Sequence, residues 1–378
     1  MGGSRTKIHY ALDKLGCGII ILKQLFTSAF GEFSSRSCWY KGIFFGVIFV
    51  TCNTGILSRV ILSGLSEYMA SSTIIDPCPA DVCGVVITYN PTDALVDNIS
   101  RLAKQIPYIV IIDNASECEI LERFGNISSE KLEIIRNPRN LGIAAALNQG
   151  LQRAGELGYS WGVTMDQDSR AEINLIDKLC AALTQVRETH RIVIVAPQIY
   201  NLDLELPTYY LRPRFGPFYE RAYCREGILD SVTTVITSGS MINIKIFQEL
   251  GGYREDFFMD YVDTEFCLRA GSEGYKIIVA CEARLDHTLG DRREVRVGRW
   301  RLFPTFHPPQ RWYTISRNRV AMIRMYALRF PHWFTYEIVA SWYTLARMLL
   351  TEDDRLEKVR AVWRGLLDGL RGKMGAGL

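Results

Sequence analysis

Apolar and polar positions fall into regular blocks from residue 82 onward, and each block has the signature of one element. Val82 to Tyr89 is an unbroken apolar, β-branched run, which predicts a strand buried on both faces. Leu95, Ile99 and Leu102 then recur at helical spacing, which predicts a helix over Ala94 to Gln105 with one buried face. Further strands are predicted at Tyr108 to Asp113, Leu132 to Arg136 and Trp161 to Asp166, with a helix over Ala144 to Ala154 between the last two. Strands alternating with helices imply an α/β fold, a mainly parallel sheet flanked by helices with right-handed crossovers. Open sheets of this type bind ligands beyond the carboxyl ends of their strands.

Polar clusters stand at those ends: Thr88-Tyr89-Asn90-Pro91, Asp113-Asn114-Ala115-Ser116 and Asp166-Gln167-Asp168-Ser169. Any one of them could be a helix cap or a turn; three at one edge of one sheet point instead to a ligand crevice. In an extended segment, residues two apart project to the same side, so Asp166 and Asp168 can face one point. Two hard oxygen ligands suit Mg²⁺ or Mn²⁺, ions that complete their shell with water and substrate phosphates. No GxxxxGK[ST] loop and no GxGxxG turn follows a strand, which excludes a P-loop and a Rossmann nucleotide site.

The flanks read differently. Residues 1–80 form an N-terminal extension whose most apolar stretch, 42–57, opens a candidate membrane segment over 42–63; a 19-residue window from Ile43 has a mean hydropathy of about 1.8, at the edge of the transmembrane range. This is either a membrane segment or, because Met69 opens a short polar lead-in to the first strand, sequence that precedes the true start. At the other end, Trp333 to Leu350 carries only Glu337 and Arg347 as charges, and Leu356 to Leu370 carries Lys358, Arg360 and Arg364 on a helical pattern. These predict C-terminal helices, either packed on the body of the protein or lying in the plane of a bilayer.

Charge changes the picture more than composition does. A net charge of +3 over 378 residues conceals +3 in residues 1–80, −10 in 81–291 and +10 in 292–378. The acidic body excludes a nucleic-acid-binding core, because phosphate contacts dominate that affinity. The basic, aromatic tail suits an anionic membrane surface. Ten cysteines show no CxxC pair and no zinc-site spacing, which predicts free cytosolic thiols.

Val85-Val86-Ile87-Thr88-Tyr89-Asn90, Ile111-Ile112-Asp113-Asn114, Asn140-Leu141-Gly142-Ile143-Ala144-Ala145-Ala146-Leu147-Asn148-Gln149-Gly150 and Met165-Asp166-Gln167-Asp168-Ser169 resemble, in order and spacing, the nucleotide-sugar half of family 2 glycosyltransferases. Within that family the chain most resembles bacterial rhamnosyltransferases that use dTDP-L-rhamnose, over about residues 82–373. The resemblance implies a GT-A type nucleotide-diphospho-sugar transferase fold, with a catalytic domain over 81–300 and a basic helical region over 301–378. Thr88, Tyr89, Asn90, Asp113, Asn114, Asn140, Gly142 and Asp166 would then bind the nucleotide sugar, and Asp166, Asp168 and His287 the Mg²⁺ or Mn²⁺.

Phe258-Met259-Asp260-Tyr261-Val262-Asp263-Thr264-Glu265 resembles the family's acceptor-side motif, in which an acidic pair precedes a helix. Asp263 matches its second acid, the catalytic base; Val262 replaces the first, so that Asp260 or Glu265 could compensate. Ser238 and Gly239 resemble the turn on which the acceptor sits, with Asp260 beside it. Arg311-Trp312-Tyr313-Thr314-Ile315-Ser316-Arg317-Asn318 resembles an element whose arginines, here Arg311 and Arg317, bind a diphosphate bidentately; an exposed basic helix face is the alternative.

Inverting transfer needs one base for the acceptor hydroxyl and a cation for the departing diphosphate. The function implied is transfer of L-rhamnose from dTDP-L-rhamnose, or another dTDP- or UDP-sugar, to a glycan or lipid-diphosphate-linked acceptor of the O-antigen kind, at the cytoplasmic face of the bacterial inner membrane. A nucleotidyltransferase also uses paired carboxylates but wants a Gly-rich basic loop after its first strand, absent here. A membrane scaffold leaves the polar clusters unexplained.

Overall fold

In the computed structural model, the residues described are 79–117, 131–202, 205–287, 295–297, 300–302 and 304–375. The apolar stretch at 42–63 and the start at Met69 lie outside them. Strands β1 (Val82–Thr88), β2 (Tyr108–Asp113), β3 (Leu132–Arg136) and β4 (Trp161–Asp166) are where the apolar runs place them. Helix α1 (Ala94–Leu102) stops short of Gln105, because Pro107 disfavours helical backbone at Ile106. Helix α2 (Ile143–Glu156) starts directly after Gly142, whose φ of +87° turns the chain.

The next elements are β5 (Arg170–Ala171), α3 (Leu175–Thr184), β6 (Ile192–Asn201), β7 (Leu206–Pro207), β8 (Tyr210–Pro213), β9 (Tyr219–Ala222), β10 (Ile228–Leu229) and β11 (Met241–Asn243). They are followed by α4 (Ile244–Glu249), α5 (Val262–Ser272) and the long β12 (Lys276–His287). The central sheet runs β10-β12-β6-β11-β4-β1-β2-β3, with β5 and β7 attached to β12 and β6. Its β4-β1-β2-β3 half is wholly parallel, whereas the three-residue β11 enters antiparallel between β4 and β6. Alternate residues of β1 and β2 feed opposite layers: Val85 and Val110 pack with Leu147 and Leu151 of α2, while Val86 and Ile109 pack with Leu95 and Ile99 of α1.

Helices α6 (Pro309–Tyr326), α7 (Pro331–Thr351) and α8 (Arg355–Leu370) complete the unit. Gly365 and Gly369 let α8 approach α6 closely; a Cβ at either would lie 2.3 Å from Tyr313 O or 2.7 Å from Arg317 O. The outward faces of α7 and α8 nevertheless expose Val339, Trp342, Tyr343, Leu350, Leu356, Trp363, Leu367 and Leu370. The tail therefore packs on the body of the protein through one face, as one of the two expectations has it, and leaves these apolar side chains on the other. Among the described residues, no helix is long and apolar enough to cross a membrane.

One expectation fails. Cys224 and Cys281 are joined in a disulfide rather than free. Cys224 precedes β10, which pairs antiparallel with β12, and the Cys281 amide donates to Gly227 O at 2.9 Å; this brings the two Cα atoms to 5.1 Å, within disulfide reach. Cys83, Cys180 and Cys267 are buried, and burial pushes the Cys83 thiol up to about 12.

Candidate active site

The sheet register brings the polar clusters level. Thr88 pairs with Asp113, and Ile87 with Asp166, so the ends of β1, β2 and β4 form one rim. At that rim Thr88 Oγ1 donates to Asp113 Oδ1 at 3.1 Å, Ser116 Oγ to the same oxygen at 2.5 Å, and the Asn90 amide to Ser116 Oγ at 2.8 Å. Asn114 donates to Asn140 Oδ1 and to Gly142 O, and accepts from the Leu141 amide. These side chains hold the β1–β2 and β3–α2 turns together, and Thr88, Asp113 and Asn114 are buried. Tyr89 and Asn90 remain open to solvent. Gly142 carries a structural constraint as well, since a Cβ there would lie 2.5 Å from Phe258 O.

Ligand atoms of Asp166, Asp168 and His287 all lie within 4.8 Å of one another. The fit to a divalent cation rests on their surroundings. Ser169 Oγ lies 2.8 Å from His287 Nδ1 and 2.6 Å from Ser238 Oγ, and Ser238 Oγ accepts the Asp166 amide at 3.2 Å. With Nδ1 engaged, Nε2 is the ring nitrogen left for an ion, the usual arrangement behind a ligating histidine. Burial, and then the neighbouring Asp168 and Asp263 carboxylates, push the Asp166 carboxyl up to about 7. Burial lowers the His287 pKa against the pull of Asp168, favouring the neutral, ligating imidazole. A carboxylate crowded by two others is short of positive charge, and a cation supplies it.

A crevice of about 250 Å³ joins this cluster to the second motif: Asp166, His287, Asp260, Asp263 and Arg311 all line it. Asp263 sits in the first turn of α5, and its Oδ1 accepts the Thr264 amide at 2.6 Å and the Thr264 hydroxyl at 3.3 Å. Burial raises its pKa; the Thr264 bonds oppose this and Asp260 adds to it. Asp260 accepts from Arg311 Nε at 3.2 Å, and the Arg311 side chain remains 42% exposed. Burial raises the Asp260 pKa despite Arg311.

Four expected residues stand elsewhere. Arg317 is 1% exposed, and its guanidinium donates to Gly375 O, Asp256 O and Asn318 Oδ1; backbone carbonyls, not a diphosphate, satisfy it. Glu265 is buried against Arg269 in a two-pronged pair and accepts the Tyr326 hydroxyl at 2.8 Å, so Asp260 is the acid left to stand in for the missing one. Ser238 and Gly239 lie beneath the acidic cluster, where Ser238 is 1% exposed and the Gly239 amide donates to Thr164 O at 2.7 Å.

Sequence reasoning also passed over the residues that fix the Asp260–Asp263 turn. Phe258 and Tyr261 both have positive φ, 65° and 68°, a conformation costing non-glycine residues about 1 kcal/mol or more. Asn318, wholly buried on α6, donates to Phe257 O at 2.9 Å and Asp260 O at 2.8 Å. Tyr261 donates its hydroxyl to Glu337 of α7, and Arg319 donates to both. The basic C-terminal helices therefore hold the Asp260–Asp263 turn in shape. Asn318 stands in the sequence directly after Arg317, within the element whose resemblance implies a diphosphate role for its arginines only.

Residues 83–251 match the family described as glycosyl transferase family 2. The chain is 28% identical over 308 residues to the dTDP-rhamnosyl transferase RfbF of Shigella flexneri, a match covering 79% of this chain and 98% of that one. It is 25% identical over 207 residues to the low-salt glycan biosynthesis hexosyltransferase Agl10 of Haloferax volcanii, covering 52% and 64%. Among solved structures it resembles GalNAc-T7 crystallised with UDP, GalNAc and Mn²⁺, with a TM-score of 0.50 and 16% identity, over 66% of this chain and 49% of that one; that likeness speaks to the fold alone. A GT-A-like α/β sheet with an acidic cluster at its carboxyl edge, and the match of residues 83–251 to glycosyl transferase family 2, make the chain similar to family 2 glycosyltransferases, with a rhamnosyltransferase and a hexosyltransferase among its relatives.

Proposed function

We propose that the chain transfers L-rhamnose from dTDP-L-rhamnose, with inversion at C1, to a glycan of the cell surface, of the O-antigen kind. The observation that carries this is the single crevice in which Asp263 faces Asp166, His287 and Arg311, together with the similarity to RfbF over nearly its whole length. The acceptor oxygen attacks C1 as its proton passes to Asp263; the bond from C1 to the diphosphate breaks, and dTDP leaves with the electron pair. Asp166, Asp168 and His287 would hold a Mg²⁺ or Mn²⁺ ion, whose contribution when bound is to neutralise the departing diphosphate. Arg311, tethered through Nε to Asp260, is placed to donate to the same group. Tyr89 and Asn90 on the open rim, above the buried Thr88, Asp113, Asn114 and Gly142 and the half-buried Asn140, would meet the base and ribose.

The partner surface we assign to the tail is an anionic bilayer at the cytoplasmic face of the inner membrane. On α8, Leu356, Trp363, Leu367 and Leu370 are exposed with Arg360, Arg364 and Arg371 beside them, and α7 adds Trp342 and Tyr343; apolar side chains flanked by arginines suit interfacial binding. Cytosolic disulfides are rare, so the Cys224–Cys281 bond is the feature that argues against this compartment, and counting thiols on protein purified without reductant decides it. The donor is tested by incubating the protein and Mn²⁺ with dTDP-rhamnose, dTDP-glucose, UDP-glucose and UDP-N-acetylglucosamine in turn. Release of nucleoside diphosphate fastest from dTDP-rhamnose supports the reading, and preference for a UDP-sugar overturns the donor assignment.

A further inference from the structure

Asp263 lines two cavities. Beyond the crevice it shares with the acidic cluster lies a larger one of about 650 Å³, bounded by β6, the segment from β7 to β8, the strand-free stretch before β11, and α7. Neither Ser238 nor Gly239 lines it. Its walls are aliphatic and aromatic, and four tyrosines contribute: Tyr209, Tyr210, Tyr223 and Tyr336. The Tyr209 and Tyr223 rings stand 6.0 Å apart at 59°, and the Arg221 guanidinium covers the Tyr209 ring at 4.6 Å. Tyr210 is anchored by donating its hydroxyl to Pro197 O at 2.6 Å. Asn201, Thr208 and Thr234 put neutral polar groups among the rings.

Charge narrows the ligand. Among the described residues that line it, Asp263 is the one charged side chain, and none is a lysine, arginine or histidine. A diphosphate or an acidic sugar buried there would lack a counter-ion, at a cost no cavity of this make-up offsets. Pyranose rings, by contrast, have an apolar C–H face and a polar rim, which matches flat aromatic walls interrupted by hydroxyls and an amide. The volume suits a drug-sized ligand of two or so sugar residues.

Resting on the transferase reading above, we propose that this cavity is the acceptor site and takes the last two residues of a neutral glycan, the terminal one presenting its hydroxyl to Asp263 and the next stacked on the tyrosines. The lipid diphosphate of a chain-initiating acceptor is then excluded from the cavity. The enzyme extends a glycan that other glycosyltransferases have already begun.

Saturation-transfer NMR tests this without donor, using methyl glycosides of neutral hexoses, their methyl disaccharides, methyl glucuronoside and farnesyl diphosphate. At least one neutral disaccharide binds the full chain more tightly than its monosaccharides, and Tyr209→Ala or Tyr223→Ala weakens it about tenfold, the scale of one lost ring contact. Both positions are partly exposed, so thermal melting confirms the fold; if one variant melts early, the other carries the test. Unchanged disaccharide binding in both variants, no binding of any disaccharide at millimolar concentration, or displacement by methyl glucuronoside or farnesyl diphosphate overturns the proposal. Binding of dTDP in the presence of Mn²⁺, measured on the same samples, reports separately on the transferase reading.

Discussion

The crowded Asp166 carboxyl makes metal binding visible as stability. Its pKa rises from 3.8 to about 7 in the folded, metal-free protein, from burial first and then from Asp168 and Asp263. A carboxyl with a raised folded-state value binds more protons folded than unfolded between those two values, so stability falls as pH climbs through that window. The cost is absent below about pH 4 and complete above about pH 7. Three units correspond to about 4 kcal/mol, and partial exposure of Asp166 reduces the working figure to about 2 kcal/mol. Asp166→Asn removes the charge while keeping the shape and the backbone bond to Ser238. At pH 8 in EDTA the variant is therefore expected to melt about 4 °C above wild type, whereas near pH 4 the two coincide. With Mn²⁺ at a hundred times its dissociation constant the wild type gains about 2.7 kcal/mol, and the variant, lacking one ligand, gains less. Scanning fluorimetry across pH, with and without Mn²⁺, reads all of this. A variant less stable than wild type at pH 8 in EDTA, or an equal response of both to Mn²⁺, would refute the reasoning.

Asp263→Asn is expected to cut turnover at least about a hundredfold with donor affinity little changed, measured by steady-state kinetics and dTDP calorimetry; near-wild-type turnover excludes Asp263 as the base. Asn318→Ala leaves the Phe257 and Asp260 carbonyls buried without their donor, which costs about 2–4 kcal/mol in urea unfolding and lowers kcat more than the KM for donor; a loss under about 0.5 kcal/mol removes the clamp. Trp342→Ala with Trp363→Ala is expected to weaken sedimentation with anionic vesicles by at least about tenfold while neutral vesicles capture little of either protein; equal capture of both proteins by anionic vesicles contradicts the assigned surface.

Much of the donor half was legible because its signals are local. Unbroken β-branched runs mark β1, β2 and β4, and the Leu95-Ile99-Leu102 spacing marks α1. Once those strands are parallel and in register, Thr88, Asp113 and Asp166 must share a rim, so that the Asp166–Asp168 pair followed from pattern, whereas His287 came only from the family resemblance. What was hidden depends on distant chain. The disulfide joins residues 57 apart, which only the β10–β12 pairing brings together. Arg317 looks like a phosphate ligand until the chain near Gly375 returns to occupy its guanidinium. Glu265 was the avoidable miss, since Arg269 four residues on is the ordinary helical ion-pair spacing. The large cavity assembles from β6, the β7–β8 segment, Tyr223 and α7, and no single stretch announces it.

The central claim is that one base, Asp263, works opposite a metal-held leaving group to invert the sugar. Its most direct test is the anomeric configuration of the product made from dTDP-rhamnose and a neutral disaccharide acceptor, read by the one-bond C1–H1 coupling in NMR. The account predicts a linkage opposite in configuration to the donor, formed with Mn²⁺ and lost in EDTA. A product that keeps the donor's configuration would contradict it, because retention requires a second protein group at C1 that this crevice is not proposed to supply.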